Sequence, residues 1–250
     1  MSKFAIIGYP SRHSLSPTLF SAAYPNSVDT YDFIEAPTIE EAMSTFDEQE
    51  YKGANITSPF KRDIIRFCDH IDDIALRAEA VNLIVRQNGE IYGYNSDYIG
   101  VRSIAENLLD KKSIGANAIV TGAGGAGRAA ALALSDIGFA VTILNRTVEN
   151  ARIFAEKHKL SHDALSESKT LLTPGTLLVH AIDYELPSHS EIDLSKTIVI
   201  EANYKRPNLS TAGCNLYISG KEWLIFQAIP AFKILTGFLP DIEAIKKIGE

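Results

Sequence analysis

The chain is short of the features that mark several protein classes. Its two cysteines, Cys68 and Cys214, lie far apart with no metal-ligand spacing, which excludes a disulfide framework or a cysteine-rich metal module and fits a reduced, cytoplasmic protein. It has no run of basic residues and a formal net charge of −7, so neither nucleic acid nor an anionic membrane surface would attract it. No apolar stretch approaches the length of a bilayer span, and the N-terminus goes straight into a strand without the pattern of a signal peptide. None of the six histidines sits in a ligand cluster, so no metal site is expected. Repeats and low-complexity tracts are missing too. What is present is a globular composition, 46% hydrophobic against 22% charged, with enough material for one large domain or two small ones.

The most informative stretch runs from Ala118 to Thr147. It reads as an apolar strand over 118–121, a glycine loop, an Ala/Leu-rich helix over 128–137, and a second apolar strand over 140–144. The loop Gly122-Ala123-Gly124-Gly125-Ala126-Gly127 satisfies G-x-G-x-x-G and sits after a strand and at the mouth of a helix, where a dinucleotide fingerprint must sit. Gly122 would make the tight turn, Gly124 would let backbone approach a pyrophosphate, and Gly127 would let helix pack closely on strand. The free N–H groups and the positive dipole end of the helix favour a phosphate. An NAD site wants an acid about twenty residues beyond the glycines to accept from the ribose 2′-hydroxyl. Here the second strand runs into Asn145-Arg146-Thr147 instead. A guanidinium pairs with a 2′-phosphate where a carboxylate would repel it, so Arg146 argues for NADP, against the plainer reading of a solvated arginine at a strand end.

Before this stretch the pattern predicts a separate α/β unit. A strand over 4–8 leads to Ser16-Pro17, a good helix start with serine as N-cap. Ser14 and Ser16 at that helix mouth suit a small anion as well as a plain cap. A strand over 32–36, a helix over 39–47 and a strand over 53–57 complete a βαβ unit. Lys61 opens an apolar-faced helical segment, an odd place for a cation given the helix dipole, although an exposed lysine is the bland alternative. A short helix over 72–78 and a hairpin turning at Asn88-Gly89 follow. Asn95 or Ser96 could cap the next helix, and Asp97 in its first turn has a sufficient structural explanation. A polar link spans 110–115. Beyond Arg146, a helix over 148–158 and apolar runs at 176–181, 197–201 and 216–218 could complete a doubly wound sheet. Two terminal helices are expected over 221–236 and 241–247, the first kinked at Pro230.

Taken together, these residues resemble the shikimate dehydrogenase family over nearly the whole chain. The likeness rests on Gly8-Tyr9-Pro10 with His13-Ser14-Leu15-Ser16-Pro17, on Gly53-Ala54-Asn55-Ile56-Thr57 through Pro59-Phe60-Lys61, and on Ala80-Val81-Asn82. It continues through Gly93-Tyr94-Asn95-Ser96-Asp97, the glycine loop, Asn145-Arg146-Thr147 and Gln227-Ala228. The resemblance implies an α/β protein of two domains. One is an N-terminal substrate domain with a mainly parallel sheet, residues 1–102, completed by C-terminal helices 225–250 that pack back on it. The other is a Rossmann doubly wound NADP-binding domain, residues 103–224. It implies NADPH-dependent, reversible reduction of 3-dehydroshikimate to shikimate, in aromatic amino acid biosynthesis, by a cytoplasmic monomer or homodimer. By the same carry-over Ser14 and Ser16 bind the substrate carboxylate with Tyr204 nearby, and Thr57, Asn82 and Gln227 hold ring hydroxyls. Lys61 is the general acid and Asp97 its partner, while Gly122, Gly124, Gly125, Ala126, Gly127, Asn145, Arg146 and Thr147 take the cofactor. An ammonium beside a developing alkoxide is sound chemistry for this reaction, since it stabilises the charge and delivers the proton.

The chain departs from the family pattern at several places. Leu83 replaces a threonine after Asn82, Ser96 a threonine before Asp97, and Phe20-Ser21 a histidine-asparagine pair. His180-Ala181-Ile182-Asp183 stands for an Asn-Ala-Thr loop, and Lys221-Glu222-Trp223-Leu224 for a glycine-methionine step. These departures leave open a paralogue acting on quinate or a related hydroxy acid, with NAD, and a sensor that binds without turnover.

Overall fold

In the computed structural model, residues 1–110 and 115–249 are described, so most of the polar link expected over 110–115 lies outside the described residues. The chain divides into two compact units, 1–96 with 227–250, and 97–226. Each builds its own six-stranded sheet among the described residues.

The first unit opens with β1 (Lys3–Gly8), α1 (Ser16–Ala23), β2 (Thr30–Glu35), α2 (Ile39–Glu48) and β3 (Gly53–Ile56). The apolar run of β1 lies between β2 and β3, parallel to both, as buried strands joined by helical crossovers do. α2 forms because Thr38 caps it, its hydroxyl accepting from Glu41 N at 3.3 Å, and because Ile39, Ala42, Met43 and Phe46 share one buried face. There follow β4 (His70–Ile71), α3 (Asp73–Ala78), β5 (Leu83–Gln87) and β6 (Glu90–Tyr94). Asp72 caps α3 through Ala75 N at 2.7 Å, and the β5–β6 hairpin turns on Asn88 and Gly89, both with positive φ. The sheet order is β2-β1-β3-β5-β6-β4, with β5 antiparallel to its neighbours, and its core runs from Ala5 and Ile7 through Phe46 to Ile64 and Ile84.

Two local expectations for this unit need correcting. Ser16 is the first helical residue of α1 rather than its cap. Leu15 takes the cap position in a near-helical conformation with no side-chain cap. The chain has already turned at Ser14, whose hydroxyl accepts from Ser16 N at 3.2 Å, so the capping role has moved back two residues. Lys61 does not open an α-helix either: Asp63–Phe67 is a 3₁₀ segment, too short to carry a macrodipole of consequence.

The second unit contains α4 (Ser96–Asp110, from Asp97 onward), β7 (Asn117–Thr121), α5 (Gly125–Asp136), β8 (Ala140–Asn145), α6 (Val148–His158) and β9 (Ser161–Ala164). It continues with α7 (Ser168–Leu171), β10 (Leu177–His180), β11 (Ile198–Glu201), β12 (Leu216–Ile218) and the start of α8 (Gly220–Thr236). All its strand pairs are parallel, in the order β12-β11-β10-β7-β8-β9. That is the doubly wound order, whose direction reverses between β7 and β10, and ligands of such sheets bind beyond the strands' carboxyl ends at the reversal. The Ala/Leu face expected of α5 is buried along its length.

From Gln227 the chain rejoins the first unit, with the rest of α8 and α9 (Ile242–Gly249). Leu235 lies where a Cβ on Gly53 would meet it at 2.6 Å, so α8 packs directly on the backbone of β3. Phe232 meets Phe20 edge-on at 5.4 Å, and Thr236 donates to the Tyr24 hydroxyl at 2.9 Å. The C-terminal helices therefore close the core of the N-terminal sheet, as expected. Pro230 lies inside α8.

Candidate active site

In the first unit the expected substrate residues fall into two groups. The loop between β1 and α1 is tied to the end of β2, since Ser11 N donates to Glu35 at 2.8 Å and Arg12 Nε at 2.9 Å. Those bonds, the Ser11 amide first, hold the Glu35 carboxyl below its usual range. On this braced loop the Ser14 hydroxyl lies 3.1 Å from that of Ser16. Beneath them Tyr31, whose phenol burial pushes up, donates to Asn55 Oδ1 at 2.7 Å and stays un-ionised. Thr57 follows β3, and a Cβ on Gly8 would lie 2.3 Å from its methyl group. Glycine at position 8 is thus what lets Thr57 sit against the end of β1.

The second group is a buried polar cluster. Asn82 is 3% exposed, Ser96 0% and Gln227 7%. Asn82 Nδ2 donates to Ser96 Oγ at 3.0 Å, Ser96 N returns a bond to Asn82 Oδ1 at 2.7 Å, and Ser96 Oγ donates to Gln227 Oε1 at 2.9 Å. Two of the three residues expected to hold ring hydroxyls are therefore brought together. The residue joining them is Ser96, whose sequence context offers a helix cap and a threonine replacement but not this bridge, because a serine at a helix start has a sufficient local explanation. Lys61 is half-buried, and its carbonyl accepts from Val81 N at 2.8 Å, which places it beside the Val81-Asn82 strand entry.

In the second unit Asp97 is buried in the first turn of α4. The glycine turn has the geometry its spacing predicts. Gly122 has φ of 97° and donates to Leu144 O at 2.8 Å. A Cβ on Gly127 would lie 1.9 Å from Gly122 O, whereas one on Gly124 meets nothing within 4 Å. Gly127 is therefore demanded by packing, and Gly124 faces open space, as close approach of a pyrophosphate requires. α5 begins at Gly125, three residues earlier than its apolar pattern suggests, so Gly125, Ala126 and Gly127 form its first turn with N–H groups available to an anion. Asn145 accepts from Ala123 N at 3.1 Å and donates to Thr147 O at 2.8 Å, which links the glycine turn to Arg146 and Thr147. Arg146 and Thr147 are exposed, and no acid stands in their turn. These residues fit a dinucleotide carrying a 2′-phosphate.

Sequence reasoning missed two features here. Arg128, 4% exposed, donates to Ala123 O at 2.9 Å and stacks over Phe154 at 4.7 Å, stitching the glycine turn to α6. His180, one of the departures, is fully buried. Its ring nitrogens contact Thr121 Oγ1 at 3.0 Å and Tyr184 O at 3.1 Å, so its side chain serves the protein's interior. Tyr204, half-buried, sits in the loop after β11, where a Cβ on Gly220 would come 2.6 Å from its backbone nitrogen. Among the described residues, no helix is long and apolar enough to cross a membrane.

Known proteins bear on this geometry along its whole length. The family model described as "Shikimate dehydrogenase substrate binding domain" matches residues 6–84, and that described as "Shikimate / quinate 5-dehydrogenase" matches residues 103–201. The shikimate dehydrogenase (NADP(+)) of Aquifex aeolicus is 34% identical over 94% of this chain and 91% of its own. That of Thermococcus kodakarensis is 32% identical over 95% of this chain and 92% of its own. The shikimate 5-dehydrogenase of Thermus thermophilus, solved in complex with NADP(H) and shikimate, superposes with a TM-score of 0.83 at 28% identity, covering 100% of this chain and 98% of that one. By descent and by architecture, then, the chain belongs to the shikimate dehydrogenase family.

Proposed function

We propose that the chain catalyses the reversible, NADPH-dependent reduction of 3-dehydroshikimate to shikimate, a step toward the aromatic amino acids. The observation that carries the reading is kinship to NADP-dependent shikimate dehydrogenases over 94% of the chain. We assign substrate binding to residues 1–102 with 225–250 and dinucleotide binding to 103–224, bounds a few residues from those of the compact units, 1–96 with 227–250 and 97–226.

A dinucleotide held by these residues would supply the hydride for the ketone carbon. The glycine turn and the first turn of α5 take its pyrophosphate on backbone N–H groups. Arg146 takes the 2′-phosphate in a charge-assisted fork, with Thr147 beside it and Asn145 fixing the turn that carries both. Ser14 and Ser16 donate to the substrate carboxylate, with Tyr204 as a further contact. Thr57, Asn82 and Gln227 hold the ring hydroxyls, and the Ser96 bridge presets the two amides. As negative charge grows on the carbonyl oxygen, the Lys61 ammonium stabilises it and gives up a proton, and in the reverse direction takes it back. Asp97 acts as the acidic partner that favours the charged amine.

The test is a four-way assay of shikimate and quinate, each with NADP and NAD, followed by absorbance of the reduced nicotinamide. Turnover with shikimate and NADP above the other three combinations is expected. A folded sample silent in all four, or one that prefers quinate with NAD, overturns the reading. The enzyme is placed in the cytoplasm, as a monomer or homodimer.

A further inference from the structure

At the carboxyl ends of β8 and β10, a series of contacts leads from a buried imidazole to the guanidinium assigned above to the 2′-phosphate. His180 closes β10 with no exposed surface. A carbonyl can only accept, so the 3.1 Å contact with Tyr184 O puts the proton on Nε2, and Nδ1 accepts from the Thr121 hydroxyl at 3.0 Å. Burial lowers the pKa of this imidazole and keeps it neutral, which preserves that tautomer. The segment from Ala181 to Tyr184 is thus pinned at both ends, Ala181 N donating to Thr121 O at 3.1 Å and the Tyr184 carbonyl accepting from His180. The ring so placed has the Arg146 guanidinium carbon over it, 5.4 Å from the ring centroid.

We propose that Tyr184 is a specificity-determining residue for the dinucleotide's 2′-phosphate, holding the Arg146 guanidinium over its ring, and that His180 is the positioning residue that sets the ring there. The inference rests on the NADP reading given above. An exposed arginine carries considerable rotamer freedom, and a planar fork ordered in advance loses less of it on binding. A cation–π contact with the ring consumes no N–H donor of the guanidinium, so its fork remains available for two phosphate oxygens. The phenol hydroxyl has no part in this, whereas the aromatic face does. The benefit falls only on ligands with a 2′-phosphate, because a bare ribose has no charge for Arg146 to meet.

The experiment compares calorimetric affinities for 2′,5′-ADP and for 5′-AMP, so its readout is independent of turnover. Tyr184→Leu is expected to lower the ratio of the two roughly three- to tenfold, the range that an ordered cation–π contact spans, while Tyr184→Phe keeps it. In an Arg146→Ala background, Tyr184→Leu is expected to leave the ratio unchanged. A ratio unmoved by Tyr184→Leu, or moved equally with and without Arg146, overturns the proposal while the NADP reading stands. A wild-type protein indifferent to the 2′-phosphate overturns both. His180→Leu is expected to reproduce the loss, and His180→Gln, which retains a donor, to restore most of it. An unmoved ratio in folded His180→Leu removes the imidazole from the argument.

Discussion

Ser96→Ala removes one oxygen atom, and the cluster around it sets what that costs. The hydroxyl accepts from Asn82 Nδ2 at 3.0 Å and donates to Gln227 Oε1 at 2.9 Å. The bond from Ser96 N to Asn82 Oδ1 at 2.7 Å is made by backbone and survives. With all three residues at 7% exposure or less, the substitution takes one hydrogen bond each from a buried donor and a buried acceptor. A buried hydrogen bond lost in this way costs about 1–3 kcal/mol, so a loss of about 2–3 kcal/mol is expected for the two together once neighbouring groups take up part of the deficit. For a chain of this length that is a fall in Tm of roughly 4–12 °C. The second consequence is kinetic. On the proposed role of Asn82 and Gln227, loss of the atom that fixes both amides should raise KM for shikimate about tenfold or more, while KM for NADP holds. Ser96→Thr, which retains the hydroxyl and adds a methyl group, should keep KM within about threefold, since overpacking costs stability more than orientation. Scanning calorimetry and initial rates on the three proteins decide the matter. If Ser96→Ala melts with the wild type and binds shikimate as tightly, the cluster is incidental packing and the argument built on it is wrong.

Three further outcomes are expected. Gly127→Ala forces a Cβ into the 1.9 Å gap to Gly122 O, backbone against backbone, and should cost about 3 kcal/mol and abolish dinucleotide binding, while Gly124→Ala, with nothing within 4 Å of its Cβ, should melt as the wild type does and lose only affinity; calorimetry separates the two. Lys61→Ala should lower kcat by about 10²–10⁴-fold, the range for a general acid, with shikimate binding largely kept, and loss of binding alone in equilibrium titration would contradict the role. His180 is held neutral by burial, so its folded pKa lies below the ordinary value of 6.5. The unfolded chain then binds the extra proton first, and stability, complete above about pH 6.5, falls as the pH drops from there toward the folded pKa. His180→Gln should flatten that limb of a urea-unfolding series against pH, and a limb of unchanged slope would show that other groups produce it.

The parts of this protein legible in its sequence are those whose physics is local. The glycine turn could be read because close packing and positive φ leave few residue types admissible, and Gly122 and Gly127 answer to both. β7, β8, β10 and β11 could be read because strands buried on both faces are continuous apolar runs. β9 escaped for the opposite reason: Ser161-His162-Asp163-Ala164 forms a sheet edge with little apolar side chain to announce it. α2 is legible in the spacing of Ile39, Ala42, Met43 and Phe46 along one face, whereas Ser16 reads as a cap because two serines two apart compete for the same turn.

The site divides along the same line. Lys61, Asp97 and Arg146 draw notice by type, since a charge invites the question of what it serves. The residues that set where such groups sit are ordinary types with ready local explanations. Ser96 passes for a helix start until the fold brings Gln227 to it across 131 residues. Arg128 passes for a surface arginine until it is found buried over Phe154. Tyr184 stands in a polar segment without periodicity, and nothing in its neighbours points to Arg146, 38 positions earlier. Such a residue acts through a partner that only the folded chain supplies. His180 is the same kind of residue, for the Tyr184 carbonyl that takes its one ring proton is fixed by the fold and not by anything its own type announces.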